Sequence, residues 1–358
     1  MLLGIDILNH KRMFWRTSLG VFLLLTGIGI GWLLVGCSTP PTVHIDVDGS
    51  ASIDAQADAV NVDDAGDAAI DAGVPDAHPD VNLTCTTYLT DPTGVHVPAC
   101  VSVPTGTMPP AGWPLVIAFH RTSGTSGEAL SRLGLSSLSS WAIIIAPDGL
   151  KNGNTQYFDA NSQCCDTAVH DPTHLRDLDW AVGLIHQEQA ATTIDATQLY
   201  AVGLSNGDWM SEAIACYDPT DIVAAVTSSG SPPAICGTPI WLRKAHGTAD
   251  VTAFYDDNDP ACPGGPPCKL NGNNNFTHYY TADDPAPYGC TGFTATGVTK
   301  DYDASTGAVG AESAEFTATG CATGTDIDFW KMTGSTHSPS WKTLWSTDTT
   351  TWLHAHHR

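Results

Sequence analysis

The sequence predicts an α/β fold in which helices cover both faces of a mostly parallel, doubly wound sheet. Strand-length apolar runs recur along the chain and alternate with segments of helical periodicity. The runs are continuously apolar, which is typical of strands buried on both faces of a parallel sheet. Five runs have this form: 115–119, 142–146, 199–202, 222–226 and 239–242. In such folds functional residues collect at the carboxyl ends of the strands.

Two segments between these runs predict amphipathic helices. In each of them apolar side chains recur at i, i+3, i+4 and i+7, which places them on one face of a helix. The two sets are Leu178, Ala181, Val182 and Ile185, and Met210, Ala213, Ile214 and Tyr217. Strand and helix therefore alternate, as a doubly wound sheet requires.

Residues 256–325 depart from this alternation. The segment is rich in Gly, Asn, Asp, Pro and Cys, so we expect a disulfide-rich insertion of loops or short strands before the strand-like run 327–332. Of the 11 cysteines, all but Cys37 lie at or beyond Cys85, and these ten would form five disulfides. Five pairs allow on the order of 900 connectivities. Short spacing favours two local pairs, while the vicinal Cys164 and Cys165 would each reach a distant partner such as Cys216 or Cys236; the local pairs are Cys85–Cys100 and Cys262–Cys268.

The charge balance excludes nucleic acid as a partner. Lys and Arg number 14 against 38 Asp and Glu, which gives a net charge of −24. Such a field repels phosphate. Many cysteines in a chain of this kind are typical of an oxidising, extracytoplasmic compartment.

The amino-terminal region predicts a lipoprotein leader followed by a spacer. Basic residues precede an uncharged run of 17 residues at 19–35, a pattern typical of a signal peptide. Residues 34–37, Leu-Val-Gly-Cys, resemble a bacterial lipobox, so we expect lipidation at Cys37 and anchoring of the chain to a bacterial membrane. An uncleaved membrane helix is the alternative. Residues 38–80, rich in Asp and Ala, predict a disordered linker, which leaves 81–358 as the folded domain.

A candidate nucleophile lies in the pentapeptide Gly-Leu-Ser-Asn-Gly at 203–207. It directly follows the apolar run 199–202 and precedes the second helical segment. A strand–turn–helix setting of this kind is what a nucleophile elbow requires. Ser205 would then lie at a helix amino end, which favours developing negative charge.

A serine hydroxyl needs a base, and that base needs an acid to orient it. Asp250 is favoured as the acid because it closely follows the run 239–242. The other acids considered are Asp218, Asp221, Asp256, Asp257 and Asp259. His337 is favoured as the base because it follows the run 327–332 and a turn. The other imidazoles considered are His246, His278, His354, His356 and His357.

The chain resembles the secreted esterases grouped as poly(3-hydroxybutyrate) depolymerase-like and feruloyl or acetylxylan esterase-like proteins. The pieces that carry the resemblance follow the family order over about residues 113–341: 114–120, 146–149, Cys164-Cys165, 178–180, 200–207, 246–250, and Cys321 leading into 334–339. The resemblance implies an α/β-hydrolase fold with Ser205 as nucleophile, Asp250 as acid and His337 as base.

Two positions depart from the family pattern. Arg121 replaces the glycine that usually follows the His of the first loop, where one oxyanion donor is found, and Asp208 replaces a glycine just after the elbow. We keep the backbone N–H groups of Asn206 and Arg121 as the expected oxyanion hole. A backbone N–H can serve there whatever side chain its residue carries. The sequence leaves open whether Asp208 faces the site.

The remaining expectations concern substrate and partners. Trp209 and Trp341 flank Ser205 and His337 in sequence and are candidate substrate-binding residues, with core packing as the alternative. No metal-binding or nucleotide-binding motif is present, so we expect neither metal nor cofactor. We expect a serine carboxylesterase acting on a polymeric or small ester. The alternatives are a non-catalytic surface binding lipoprotein on the same scaffold and a serine peptidase.

Overall fold

The computed structural model describes residues 83–152, 155–159, 176–230, 240–255, 290, 292–305, 307–321 and 327–358, and two short strands nearer the amino end. The chain divides into two units, Met1–Val60 and Asn61–Arg358. In the first, β1 (His44–Ile45) pairs antiparallel with β2 (Ala51–Ser52), inside the segment predicted as a linker. The predicted leader with Cys37, the Cys164-Cys165 pair and Cys262–Cys268 lie outside the described residues.

The second unit is built around one large sheet. Its strands are β3 (Thr87–Leu89), β4 (Ala99–Ser102), β5 (Trp113–Phe119), β6 (Ile143–Ala146), β7 (Leu150–Asn152), β8 (Thr155–Tyr157), β9 (Ile194–Leu204), β10 (Ala224–Ser228), β11 (Trp241–Gly247), β12 (Gly292–Lys300), β13 (Ser313–Thr319) and β14 (Ile327–Met332). All but β7 and β8, which form a separate antiparallel pair, belong to the large sheet. Its order is β12-β13-β14-β11-β10-β9-β5-β6-β4-β3.

The centre of this sheet is parallel and its edges are antiparallel. Strands β14, β11, β10, β9, β5 and β6 run parallel to one another. β12 and β13 add antiparallel strands at one edge, and β4 and β3 do so at the other. Within the described residues the five apolar runs overlap β5, β6, β9, β10 and β11, because central strands of a covered sheet bury both faces. The predicted class, an α/β fold with a mostly parallel sheet, is confirmed.

Helices cover both faces of the sheet. They are α1 (Ala129–Arg132), α2 (Arg176–Ala191), α3 (Asn206–Tyr217) and α4 (Thr343–Ala355), with short 3₁₀ helices at Ser126–Glu128 and Ser136–Ser140. Leu115, Ile117 and Phe119 of β5 pack in one apolar cluster with α2 and α3, whereas Val116 and Ala118 pack in the other with α1 and α4. Alternate side chains of a strand point to opposite faces, so β5 contributes to both clusters. None of the helices in the described part of the chain has the length and apolar character needed to cross a bilayer.

Disulfides tie down both edges of the sheet. Cys85 pairs with Cys100 of β4, as the short spacing predicts. Cys290 pairs with Cys321, which joins the chain just before β12 to the chain just after β13. Cys216 at the end of α3 is also disulfide-bonded. The segment predicted as a disulfide-rich insertion therefore contributes a stapled pair of edge strands.

A buried histidine links the amino-terminal part of this unit to α2. The two ring nitrogens of His96 each lie 2.9 Å from a carboxylate oxygen, one of Asp91 and one of Asp177. The ring stacks on Trp180 with the centroids 3.7 Å apart. The second oxygen of Asp177 accepts the N–H of Asp159 at 2.8 Å. One imidazole thus ties together three segments that are distant in sequence.

These contacts predict a dependence of stability on acid. Burial opposes ionisation of Asp177, but the hydrogen bonds from His96 and from the Asp159 N–H prevail and hold its pKa below the ordinary 3.8. A depressed carboxyl pKa stabilises the fold above the unfolded-state value, and this contribution is lost as the pH falls through the folded-state value. We therefore expect Asp177→Asn to lower the unfolding free energy at pH 7 and to flatten its decline below pH 4. Urea titrations at pH 7, 5 and 3 measure both effects; parallel curves for the two proteins would contradict the assignment.

Candidate active site

Ser205 occupies a tight reversal between β9 and α3. It follows Leu204, the last residue of β9, and precedes Asn206, the first residue of α3. Its backbone has φ 56° and ψ −121°, a region that costs a non-glycine residue about 1–3 kcal/mol. The N–H of Ser205 donates to the carbonyl of Ser228, at the end of β10, at 2.9 Å. The strained turn places the hydroxyl at the carboxyl edge of the sheet.

The two glycines of the pentapeptide allow the backbone segments of the turn to approach closely. A methyl group on Gly203 would lie 1.9 Å from the carbonyl oxygen of Gly207. A methyl group on Gly207 would lie 2.2 Å from the carbonyl oxygen of Phe119, at the end of β5. Both distances are far inside van der Waals contact, so only glycine fits at either position.

Ser205, His337 and Asp250 form a continuous hydrogen-bonded series. The Nε2 atom of His337 lies 2.8 Å from the hydroxyl oxygen of Ser205, and its Nδ1 atom lies 2.8 Å from Oδ2 of Asp250. The three residues follow β9, β14 and β11 respectively. They are 5%, 3% and 2% exposed, so water competes little for these bonds. The arrangement can remove a proton from a hydroxyl and stabilise the imidazolium that results.

The carboxylate of Asp250 is held in its charged form. Its Oδ1 atom accepts the backbone N–H groups of Thr252 and Ala253, each at 2.8 Å. Burial raises its pKa, but the interactions with His337 and His246 outweigh burial and leave the pKa below its ordinary value. Asp250 is therefore an anion at neutral pH.

The other acids and imidazoles considered from sequence lie elsewhere or outside the described residues. Asp218 and Asp221 follow α3, and Asp221 contacts His186 of α2 at 2.9 Å. At the carboxyl end of α4, His354 packs against Trp141 and His356 stacks on Trp352. Asp256, Asp257, Asp259 and His278 lie in the segment that the structure does not describe. His246 is different, because its Nε2 atom lies 3.2 Å from Asp250.

The expected oxyanion donors lie at the amino end of α3 and just after β5, the strand next to β9 in the sheet. Asn206 begins α3, and its side chain binds Phe158 twice, accepting the N–H at 2.7 Å and donating to the carbonyl at 3.0 Å. Arg121 follows β5, and its carbonyl accepts the N–H of Gly124 at 2.9 Å. Among the described non-glycine residues, positive φ occurs at Ser123, Ser205 and Ser229 and not at Arg121. Arg121 thus replaces the family's glycine without left-handed strain.

His120 fixes the shape of the first loop and is no rival base. Its Nδ1 atom lies 2.6 Å from the carbonyl oxygen of Arg121, and its Nε2 atom accepts the N–H of Gly149 at 3.0 Å. Burial lowers the pKa of His120. A neutral ring that donates from Nδ1 satisfies both contacts, and neither nitrogen remains for Ser205.

Asp208, whose direction the sequence leaves open, points into the interior. Both of its carboxylate oxygens lie 2.9 Å from the amine of Lys244, and Oδ2 also accepts the N–H of Gly230 at 2.7 Å. The same amine donates to Glu212 at 2.7 Å. Burial raises the pKa of Asp208 well above its usual range, with Lys244 opposing the shift. Lys244 therefore places its cation against the carboxylates of Asp208 and Glu212, and these three residues form a buried cluster behind the elbow.

The two tryptophans predicted to bind substrate lie in the core. Trp209 is 4% exposed and packs with α2 and β5. Trp341 is 2% exposed, stacks on Trp345 with centroids 4.5 Å apart, and donates to the carbonyl of Arg132. This burial agrees with core packing, the alternative that the sequence leaves open.

Comparisons with known proteins yield distant similarities. No family model matches the sequence. The curated protein "Putative esterase NocK" of Nocardia uniformis subsp. tsuyamanensis is 26% identical over 161 residues, which span 43% of this chain and 42% of that protein. The structure of an acetyl xylan esterase from Aspergillus awamori aligns with a TM-score of 0.49 and 17% identity over 75% of this chain and 98% of that one. A structure described as a thermostable esterase aligns with a TM-score of 0.43 and 14% identity, covering 76% and 62%.

The cluster behind the elbow predicts a large effect of one substitution. Lys244→Met leaves Asp208 and Glu212 buried beside each other without a cation, and we expect the unfolding free energy to fall by about 3–5 kcal/mol. The triple variant Asp208→Asn, Glu212→Gln, Lys244→Met removes the charges together and should recover most of that loss. Denaturant unfolding of the three proteins measures this. A single variant as stable as the parent would show that the ion cluster contributes nothing.

Proposed function

We propose that this chain is a serine carboxylesterase that works through Ser205, His337 and Asp250 and an acyl-enzyme. The observation that carries the proposal is the hydrogen-bonded series from the Ser205 hydroxyl through His337 to Asp250. The strained turn at Ser205 and the anionic Asp250 support it, because both prepare the hydroxyl for attack. The resemblance to secreted esterases and the similarity to a curated putative esterase agree with it.

In the first half of the reaction, the Ser205 oxygen attacks the ester carbonyl carbon while His337 Nε2 takes the hydroxyl proton. Asp250 stabilises the imidazolium through its bond to Nδ1. The backbone N–H groups of Asn206 and Arg121 would bind the oxyanion of the tetrahedral intermediate, and the amino end of α3 adds its dipole. His337 then gives the proton to the leaving alkoxide oxygen. The C–O bond breaks and the acyl group stays on Ser205.

In the second half, water replaces the alcohol. His337 removes a proton from the water as its oxygen attacks the acyl carbon, and a second tetrahedral intermediate uses the same donors. Collapse of this intermediate breaks the bond to Ser205, which regains its proton from His337. The products are a carboxylic acid and an alcohol. Every step uses groups of this chain and water alone.

The proposed setting is extracytoplasmic, on a polymeric ester. The disulfides Cys85–Cys100 and Cys290–Cys321 support an oxidising compartment. Lipidation at Cys37 with a long acidic spacer would let a tethered enzyme reach an insoluble material. On this basis we infer that the substrate is polyhydroxybutyrate or a feruloylated or acetylated xylan, the polymers to which the sequence resemblance points.

The proposal predicts hydrolysis that depends on one oxygen atom. The purified chain should cleave p-nitrophenyl acetate and at least one of methyl ferulate, acetylated xylan and polyhydroxybutyrate granules. We expect Ser205→Ala to reduce kcat by at least about 10⁴-fold, since loss of the nucleophile removes the whole covalent route. Ser313→Ala, which alters a buried serine of β13 away from the elbow, is the matched control and should retain activity.

Other outcomes would replace the proposal. Cleavage of peptide substrates in preference to esters would assign the same three residues to a serine peptidase. Absence of turnover with a folded chain on every ester would favour a binding protein on a hydrolase scaffold.

A further inference from the structure

A second imidazole contacts the carboxylate of Asp250. His246 lies in β11, four residues before Asp250, and is fully buried. Its Nε2 atom lies 2.8 Å from the carbonyl oxygen of Ala253 and 3.2 Å from Oδ2 of Asp250. The same Oδ2 atom accepts the bond from His337. The mechanism above makes no use of His246.

The surroundings of the His246 ring determine which nitrogen carries the proton. Both atoms next to Nε2 are oxygens that can only accept, so Nε2 must donate. Within the described residues the buried Nδ1 atom has no hydrogen-bond partner. The ring of His246 therefore donates from Nε2 toward the loop that carries Asp250.

We propose that His246 is a positioning residue of the triad: its Nε2–H, shared between the Ala253 carbonyl at 2.8 Å and Oδ2 of Asp250 at 3.2 Å, holds Oδ2 where it accepts the bond from His337. This inference rests on the proposed esterase function. The backbone N–H groups of Thr252 and Ala253 hold only the other oxygen, Oδ1. Without His246, only His337 would orient Oδ2. The Asp250 carboxylate could then move together with the His337 imidazole during proton transfer.

The neighbouring backbone explains why this restraint matters. The loops after β11 and β14 are joined by a bond from the Gly334 N–H to Thr248 and one from the Ala249 N–H to the Ser335 carbonyl, each 2.9 Å long. These contacts fix the distance between the two loops. They leave rotation of the Asp250 side chain to its own hydrogen bonds. His246 supplies a second donor that limits this rotation.

Two amide substitutions separate positioning from packing. A glutamine amide nitrogen can reach the place of Nε2, whereas an asparagine amide reaches only the place of Nδ1. Both variants keep a polar group of similar size in the buried site. We expect His246→Asn to lower kcat for p-nitrophenyl acetate by about ten- to a hundredfold with KM unchanged, the rate equivalent of one hydrogen bond to a charged group. His246→Gln should recover most of this loss.

A second measurement does not depend on turnover. The proton between His337 and Asp250 should give a low-field NMR resonance, and loss of the second donor on Oδ2 should move it in His246→Asn but not in His246→Gln. Equal kcat values in folded Asn and Gln variants, with an unmoved resonance, would overturn the proposal and leave His246 a packing residue. A wild-type chain without esterase activity would refute the proposed function. The resonance would still test the role of His246.

Discussion

The structure depends on the left-handed turn at Ser205. The turn costs energy in isolation and is stable here because the sheet encloses it from three directions. The carbonyl of Phe119 presses on Gly207, the carbonyl of Ser228 accepts the N–H of Ser205, and Gly203 lies against the carbonyl of Gly207. These contacts join β5, β9 and β10, so the geometry of the nucleophile is a property of the whole parallel core. Strain of this kind persists only where the surrounding structure over-determines it.

Buried polar groups set the rest of the site. The side chain of Asn206 binds the backbone of Phe158, and Asp177, which also contacts His96, accepts the N–H of the next residue, Asp159. Lys244 forms ion pairs with Asp208 and Glu212 behind the turn. Each of these groups is satisfied by partners from a distant part of the chain. Buried networks of this type are stable only when complete, and they then define one arrangement. The site thus combines a strained backbone with side chains that have little freedom to move.

Much of this could be predicted from the sequence where local chemistry decides the outcome. The central strands appear as continuous apolar runs because both faces of the sheet are covered, and Ser205 stands where strand periodicity changes to helical periodicity. The direction of Asp208 could not be predicted, since a carboxylate in a first helical turn is favourable whether it faces the site or the core. The direction of Asp208 is determined by its contact with Lys244, which lies 36 positions further along the chain. The same holds for the second donor on Asp250 and for the Cys290–Cys321 pair, whose partners are defined only by the folded sheet.

The order of the strands has a further consequence for biosynthesis. Ser205 follows a central strand, whereas His337 follows β14, which joins the parallel core from the other end of the domain sequence. Closing a loop of 132 residues between them is an entropic barrier, and contacts of such long range tend to form late and slowly. A chain emerging from the ribosome would complete the strand before Ser205 long before His337 is made. The hydrogen bond between the two side chains would then form only after the final parallel strand docks.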